Sequence, residues 1–223
     1  MPAPLDLLRA VSYFRPLPEP DLLRVQGRAI HQQFPRGRII MLENDPCPGM
    51  YVIESGRVKL FRTSSDGREQ VLMLVGPGGV FNDVPVFGGG PNAAAAAAME
   101  RTSLYLIPSE HVLAAMKAHP DAALAVAKEF AGQLRSLADL VEDLSFRHVT
   151  SRVAKLLLDY AEAPSGGASA HRPRLTQQEI AAMVGSVREV VGRSLAALER
   201  EGAIRIERAR IVVADRDALR RMA

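Results

Sequence analysis

The chain has 223 residues, 48% of them apolar and 24% charged, the balance of one or two folded domains rather than of a disordered chain. No apolar run approaches the ~18 residues that a membrane-spanning helix needs, and residues 1–11 carry Asp6 and Arg9 inside their apolar stretch, unlike a secretory signal. The net charge of +3 is unevenly spread: residues 1–146 hold 14 Lys+Arg against 16 Asp+Glu, and residues 147–223 hold 14 against 9. A nucleic-acid contact, if there is one, is expected in that basic C-terminal third.

From about 34 to 107 the sequence is punctuated by turn residues: Gly37, Asn44-Asp45, Gly49, Gly56, Asp66-Gly67, and the glycines of 76–79 and 88–90. Short apolar runs lie between them, such as Met50-Tyr-Val-Ile53, Val58-Lys-Leu-Phe61 and Val71-Leu-Met-Leu-Val75. Asp66-Gly67 is a dipeptide that suits a tight hairpin. The pattern predicts an all-β sandwich or barrel here. Six alanines, Ala93 to Ala98, are expected to form a short helical turn running into a strand at 103–107.

Pro120 opens a long helix, expected over 121–146 and about 39 Å in length. Ala123, Ala127, Phe130, Leu134, Leu137, Val141 and Leu144 recur in steps of four and three, the a/d spacing of a coiled coil. Such a seam also occurs on helices packed against their own domain. Three continuous heptads, with Leu140 off the seam and free for an intramolecular contact, favour a homodimer. Its seam is Phe130, Leu134, Leu137, Val141 and Leu144.

After a helix at 153–161 and a Gly/Ser/Ala-rich loop at 163–170 comes the most informative segment, Leu175 to Ala203. Two capping boxes are expected, Thr176-x-x-Glu179 and Ser186-x-x-Glu189, with Gly185 closing the first helix between them. Ile180, Met183 and Val184 give the first helix an inward face, and Val191, Leu195 and Leu198 do the same for the second. A short helix, a glycine turn and a longer helix make a helix-turn-helix.

The second helix then presents Arg188, Glu189, Gly192 and Arg193 away from its apolar stripe, where a recognition helix meets base edges. An arginine fork matches guanine O6 and N7, glutamate accepts from cytosine N4, and Val190 suits a thymine methyl. Thr176 and Gln178 are expected on phosphates. Two strands, expected at 203–206 and 211–213, flank a basic stretch, a wing whose Arg208 and Arg210 are expected on the DNA backbone. Glu189 and Arg193 are also placed for an ordinary i,i+4 surface pair.

With these residues in view, the chain resembles the cyclic-AMP receptor protein/Fnr (Crp/Fnr) family of bacterial regulators over essentially its whole length. The stretches that carry the resemblance are Gln178-Glu-Ile-Ala, Arg188-Glu-Val-Val-Gly-Arg193 and Met50-Tyr-Val-Ile-Glu-Ser-Gly-Arg-Val58. The resemblance implies an α+β protein: a β-roll, cyclic-nucleotide-binding-like sensor domain at 1–118, a dimerisation helix at 119–147 and a winged helix-turn-helix at 148–223. It implies that Arg188, Glu189, Val190 and Arg193 read bases in a TGTGA-like palindrome. A twofold dimer would place half-sites about 34–36 Å apart.

The effector site departs from the family. Cyclic-nucleotide members carry a Gly-Glu pair and, past a loop, an Arg-Ser pair on the cyclic phosphate. Here Asn82-Asp83 and Ala93-Ala94 stand in those places, Asn92 precedes the alanines, and Leu137 and Ala138 replace adenine-contacting hydroxyls. Methyl groups do not neutralise a buried phosphate. Regulation independent of cyclic AMP is therefore expected, with the pocket filled by its own alanines or open to an apolar ligand.

A redox or haem effector has little support. Cys47 sits alone in the turn Asn44-Asp-Pro-Cys-Pro-Gly49, either as a tolerated turn residue or as an oxidation sensor. One cysteine excludes intrachain disulfides, four-cysteine zinc sites and cysteine-held iron–sulfur clusters within a subunit, and it fits a reducing cytoplasm. His31, His111, His119, His148 and His171 lack metal-ligand spacing, so no metal and no cofactor are expected. An enzyme is not expected either, because 34–107 has no His-x-His and the chain has no phosphate-loop or nucleophile-elbow motif. The expected partners are double-stranded DNA, a second copy of the chain and, for an activator, RNA polymerase. The remaining alternative is a helix-turn-helix turned to protein partners.

Overall fold

The structure, a computed structural model, describes residues 3–162, 175–207 and 210–223. The chain divides into two compact units, Met1–Arg62 with Met73–Ser136, and Thr63–Leu72 with Leu137–Ala223.

The first unit opens with helices α1 (Leu5–Ala10) and α2 (Glu19–Gln26). Strands follow as β1 (Ile30–Phe34), β2 (Ile39–Met41), β3 (Gly49–Ser55), β4 (Val58–Thr63), β5 (Glu69–Val75) and β6 (Val80–Phe81). Helix α3 (Asp83–Gly88), β7 (Ala95–Ala98), β8 (Thr102–Pro108), α4 (Ser109–Ala118) and α5 (Pro120–Phe146) complete the run, in which Thr63–Leu72 and the part of α5 from Leu137 onward count with the second unit. The strands form two four-stranded sheets, in the orders β1-β8-β3-β6 and β2-β7-β4-β5. The 34–107 region is thus β-rich as expected, but it also contains the short helix α3.

Strands β3 and β8 read as continuous apolar runs because both of their faces are covered. Tyr51, Ile53, Leu104 and Leu106 point between the sheets, with Met41, Val58, Val75 and Phe81. Met50, Val52, Tyr105 and Ile107 point outward, beneath a layer built from Leu8, Leu22, Val112, Ala122 and Val126 of α1, α2, α4 and α5. Fully burying a side chain of this size contributes about 1.5–3 kcal/mol.

The alanine run corrects the expectation of a helical turn. Ala93 and Ala94 are not helical, and Ala95–Ala98 is a strand paired on both sides, Ala97 with Ile39 and Lys59, Ala96 with Met41 and Leu60. Helix propensity is a few tenths of a kcal/mol per residue, and two flanking ladders of backbone hydrogen bonds outweigh it. All four alanines are buried.

Helix α5 begins at Pro120, where the missing N–H costs nothing. Ala122, Val126 and Phe130 face the sheets. Phe130, expected in the dimer seam, is half-buried on its own domain, edge-on to Phe87 with ring centroids 5.8 Å apart. A straight helix drifts against a 3.5-residue repeat, which carries position 130 onto the inward stripe. Leu134 and Val141 remain 70% and 63% exposed, with Leu137 and Leu144 less so.

The second unit holds α6 (Val149–Glu162), α7 (Gln177–Val184), α8 (Arg188–Arg200), the hairpin β9 (Ile204–Glu207) and β10 (Arg210–Val213), and α9 (Arg216–Met222). Val153, Leu157, Ile180, Val184, Val191, Leu195, Leu198, Ile204 and Leu219 form its core. Leu140, expected to make an intramolecular contact, lines a cleft with Leu144, Leu156, Met183 and Val184. The 163–170 loop lies outside the described residues.

Candidate nucleic-acid interface and effector site

Helix α7 starts as its sequence requires. The Thr176 hydroxyl accepts from the Glu179 N–H at 3.1 Å, and the Glu179 carboxylate accepts from the Thr176 N–H at 2.6 Å, a complete capping box. Gly185 ends the helix at φ +62°, a left-handed conformation that a Cβ disfavours.

The second expected capping box is not formed. The Ser186 N–H donates back to the Ala181 carbonyl at 3.0 Å, so Ser186 closes α7 rather than opening α8. The cap of α8 is Val187, whose carbonyl accepts from the Val190 and Val191 N–H groups and whose side chain makes no capping bond. The turn is one residue longer than the spacing of hydroxyl and carboxylate implied.

On α8, Val191, Ser194, Leu195 and Leu198 are buried, while Arg188, Glu189 and Arg193 are exposed on the opposite side and Val190 and Gly192 are half-buried. The Thr150 and Ser194 hydroxyls, 3.0 Å apart, tie α6 to the inner face. Glu189 and Arg193 do not pair, and none of the three charged groups has a hydrogen-bond or ion-pair partner among the described residues. Their hydrogen-bonding capacity is open to solvent on one helical face.

Thr176 and Gln178 are exposed at the start of α7. The reading of the sequence missed Gln177, whose Oε1 stands 3.7 Å from where a Cβ on Gly192 would be, an ordinary contact distance. The Glu199 carboxylate accepts from the Ile206 N–H at 2.8 Å and pins the hairpin to α8. Arg210 is exposed on that hairpin, as is Arg205, which the sequence reading also missed; Arg208 lies outside the described residues.

The residues expected at the effector site follow different fates. Asn82 adopts φ +62° where the family places glycine, a conformation asparagine tolerates better than most residues. Its side-chain amide donates to the Gly49 carbonyl at 3.0 Å and to Asn92 Oδ1 at 2.9 Å, and Asn92 donates in turn to the Leu42 carbonyl. Asp83 is buried and accepts from the Tyr13 hydroxyl and from Gln133 Nε2 at 3.1 Å. Burial, then the neighbouring Asp83 carboxylate, push the Tyr13 phenol well above its ordinary pKa, so it remains a donor. Ala94 is buried, while Ala93, Leu137 and Ala138 are exposed. Tyr13 carried no sequence signal, since it meets Asp83 across 70 residues.

Removing this hydroxyl leaves a buried carboxylate short of a donor. Tyr13→Phe is expected to lower stability by about 1–3 kcal/mol in urea denaturation at neutral pH. An unchanged midpoint would mean that the bond contributes nothing.

Comparison with known proteins agrees with this architecture. The cyclic nucleotide-binding domain family matches residues 31–119, and the Crp-like helix-turn-helix domain family matches residues 151–222. The CRP-like cAMP-activated global transcriptional regulator of Mycobacterium tuberculosis is 33% identical over 193 residues, covering 85% of this chain and 86% of that protein. The chain belongs to the Crp/Fnr family of transcriptional regulators.

The cyclic AMP receptor protein of Thermus thermophilus is 34% identical over 205 residues, covering 92% of this chain and 86% of that protein. A solved Crp/Fnr-family transcriptional regulator from the same organism superposes with a TM-score of 0.72 at 28% identity, covering 87% of this chain and 98% of that one. Crp/Fnr members are DNA-binding transcription regulators rather than enzymes, and the α+β architecture of a β-rich nucleotide-binding-like domain, long helix and C-terminal helix-turn-helix is theirs. Among the described residues no helix is long and apolar enough to cross a membrane.

Proposed function

We propose that this Crp/Fnr protein is a cytoplasmic homodimer that reads a TGTGA-like palindrome without needing cyclic AMP. The domain limits that serve this reading are those expected above, 1–118, 119–147 and 148–223. The observation that carries it is the solvent face of α8, where Arg188, Glu189 and Arg193 stand without partners among the described residues while the opposite face is core. Arg188 and Arg193 offer forks to guanine, Glu189 accepts from cytosine, and Val190 meets a thymine methyl. Thr176, Gln178, Arg208 and Arg210 hold phosphates and fix the register.

Dimerisation supplies the second half-site. It is supported by the exposed Leu134 and Val141, flanked by Leu137 and Leu144, which leave an apolar stripe uncovered along α5. As an activator, the dimer would also meet RNA polymerase.

Independence from cyclic AMP rests on charge. A cyclic phosphate brought beside Ala93 and Ala94 meets no cation from that pair, and Asp83 is already committed to Tyr13 and Gln133. An anion buried next to a carboxylate without compensation is strongly disfavoured. Titrating the nucleotide-free protein onto a fluorescent TGTGA palindrome and a scrambled duplex tests both claims. The palindrome is expected to bind about 10³-fold or more tighter, with an affinity unchanged by saturating cyclic AMP. A large gain on adding the nucleotide would overturn the independence, as the cAMP-activated M. tuberculosis relative would lead one to expect.

A further inference from the structure

We propose that Val187 is a specificity-determining residue that packs on a thymine methyl beside the base pair read by Arg188. The inference rests on the reading of α8 as the base-reading helix. Val187 is 39% exposed at the N-terminal end of that helix, next to Arg188 and three residues before Val190.

Its position is unfavourable for the isolated protein. Helix caps select Ser, Thr, Asp or Asn, whose oxygen accepts an N–H of the first turn. In the same unit, α7 is capped by Thr176 and α9 by Asp215, which accepts from the Asp217 and Ala218 N–H groups. At α8 the cap is an exposed apolar residue with no capping bond. The loss of a cap at a solvent-facing site is a local cost without a local gain, the pattern expected where function overrides foldability.

The chemistry of the side chain identifies what it meets. Val187 and Val190, at i and i+3, lie on one side of the helix and form a short apolar edge alongside Arg188. In the major groove the only apolar group that base pairs present is the C5-methyl of thymine. The TGTGA half-site carries three thymines when both strands are counted, so a methyl is within the footprint.

Replacing each thymine in turn with deoxyuridine removes only the methyl. For the unmodified protein, substitution at one of these positions is expected to weaken binding about fourfold per half-site, and about fifteenfold when both half-sites are changed. Val187→Ser is expected to abolish that sensitivity, to keep the preference for palindrome over scrambled duplex, and to leave the melting temperature equal or higher because the cap is restored. If the unmodified protein is indifferent to every methyl, or Val187→Ser stays equally sensitive, the proposal fails while α8 remains the reading helix. If the unmodified protein binds scrambled duplex as well as the palindrome, the reading of α8 itself fails and takes this one with it.

Discussion

Leu134→Glu combined with Val141→Glu is expected to yield a folded monomer whose affinity for the palindrome falls by about 10²–10⁴-fold. The two side chains are 70% and 63% exposed on α5, so glutamate displaces nothing inside the chain. Glutamate is also a good helix former, and helix content by circular dichroism is expected to persist. In a dimer the same positions face their counterparts. Four carboxylates would then meet along one interface, each losing hydration without gaining a cation.

The DNA penalty follows from linkage. Two modules held together bind the second half-site at high effective concentration, an advantage of 10²–10⁴ that disappears when the link is cut. Sedimentation equilibrium reads the mass, and anisotropy on palindromic and single half-site duplexes reads the affinity. A double variant that stayed dimeric would show that α5 is not the interface. A monomer that held the palindrome undiminished would show that dimerisation is not what α5 contributes to DNA reading.

Arg188→Ala is expected to cost about 1–3 kcal/mol at each half-site and to relax the preference at one base pair. Arg188 is exposed in the first turn of α8 and has no partner among the described residues, so the truncation leaves the fold intact. What is lost is a planar fork with two parallel donors, a shape that guanine alone matches in the major groove. Binding to every single-base variant of the half-site separates the outcomes. A loss confined to one position marks a base contact. An equal loss on all duplexes, with a shallower salt dependence, assigns Arg188 to a phosphate. No loss at all would turn the helix-turn-helix toward a protein partner instead.

Features that depend on a few consecutive residues were legible in the sequence. Asp66-Gly67 does form a turn, with the Gly67 N–H donating to the Ser64 carbonyl and Gly67 at φ +81°. The Thr176–Glu179 box, the Gly185 stop and the long helix from Pro120 are likewise set by local chemistry. The apolar residues of the buried face of α8 followed from helical periodicity, whereas α7 is buried at every position from Ile180 to Val184 and not only at the expected Ile180, Met183 and Val184.

Other features were decided by distant partners. Ser186 has the spacing of a capping box, but its N–H is taken by Ala181 of the previous helix. Phe130 fits a heptad, and its contact with Phe87, far away in sequence, carried no local signal. Asp83 was recognised as a departure from the family, whereas its engagement by Tyr13 and Gln133 required three separate elements to meet. Val187 was invisible because nothing in a valine announces a helix cap.

The strand of four alanines has a consequence for how the protein is assembled. Left to themselves these residues favour a coil of 3.6 residues per turn, and they become extended only between two neighbours already in place. Ile39 must return to Ala97 across nearly sixty positions of chain, a slow encounter beside the closing of the Asp66-Gly67 hairpin. β7 is therefore a product of folding and never its seed.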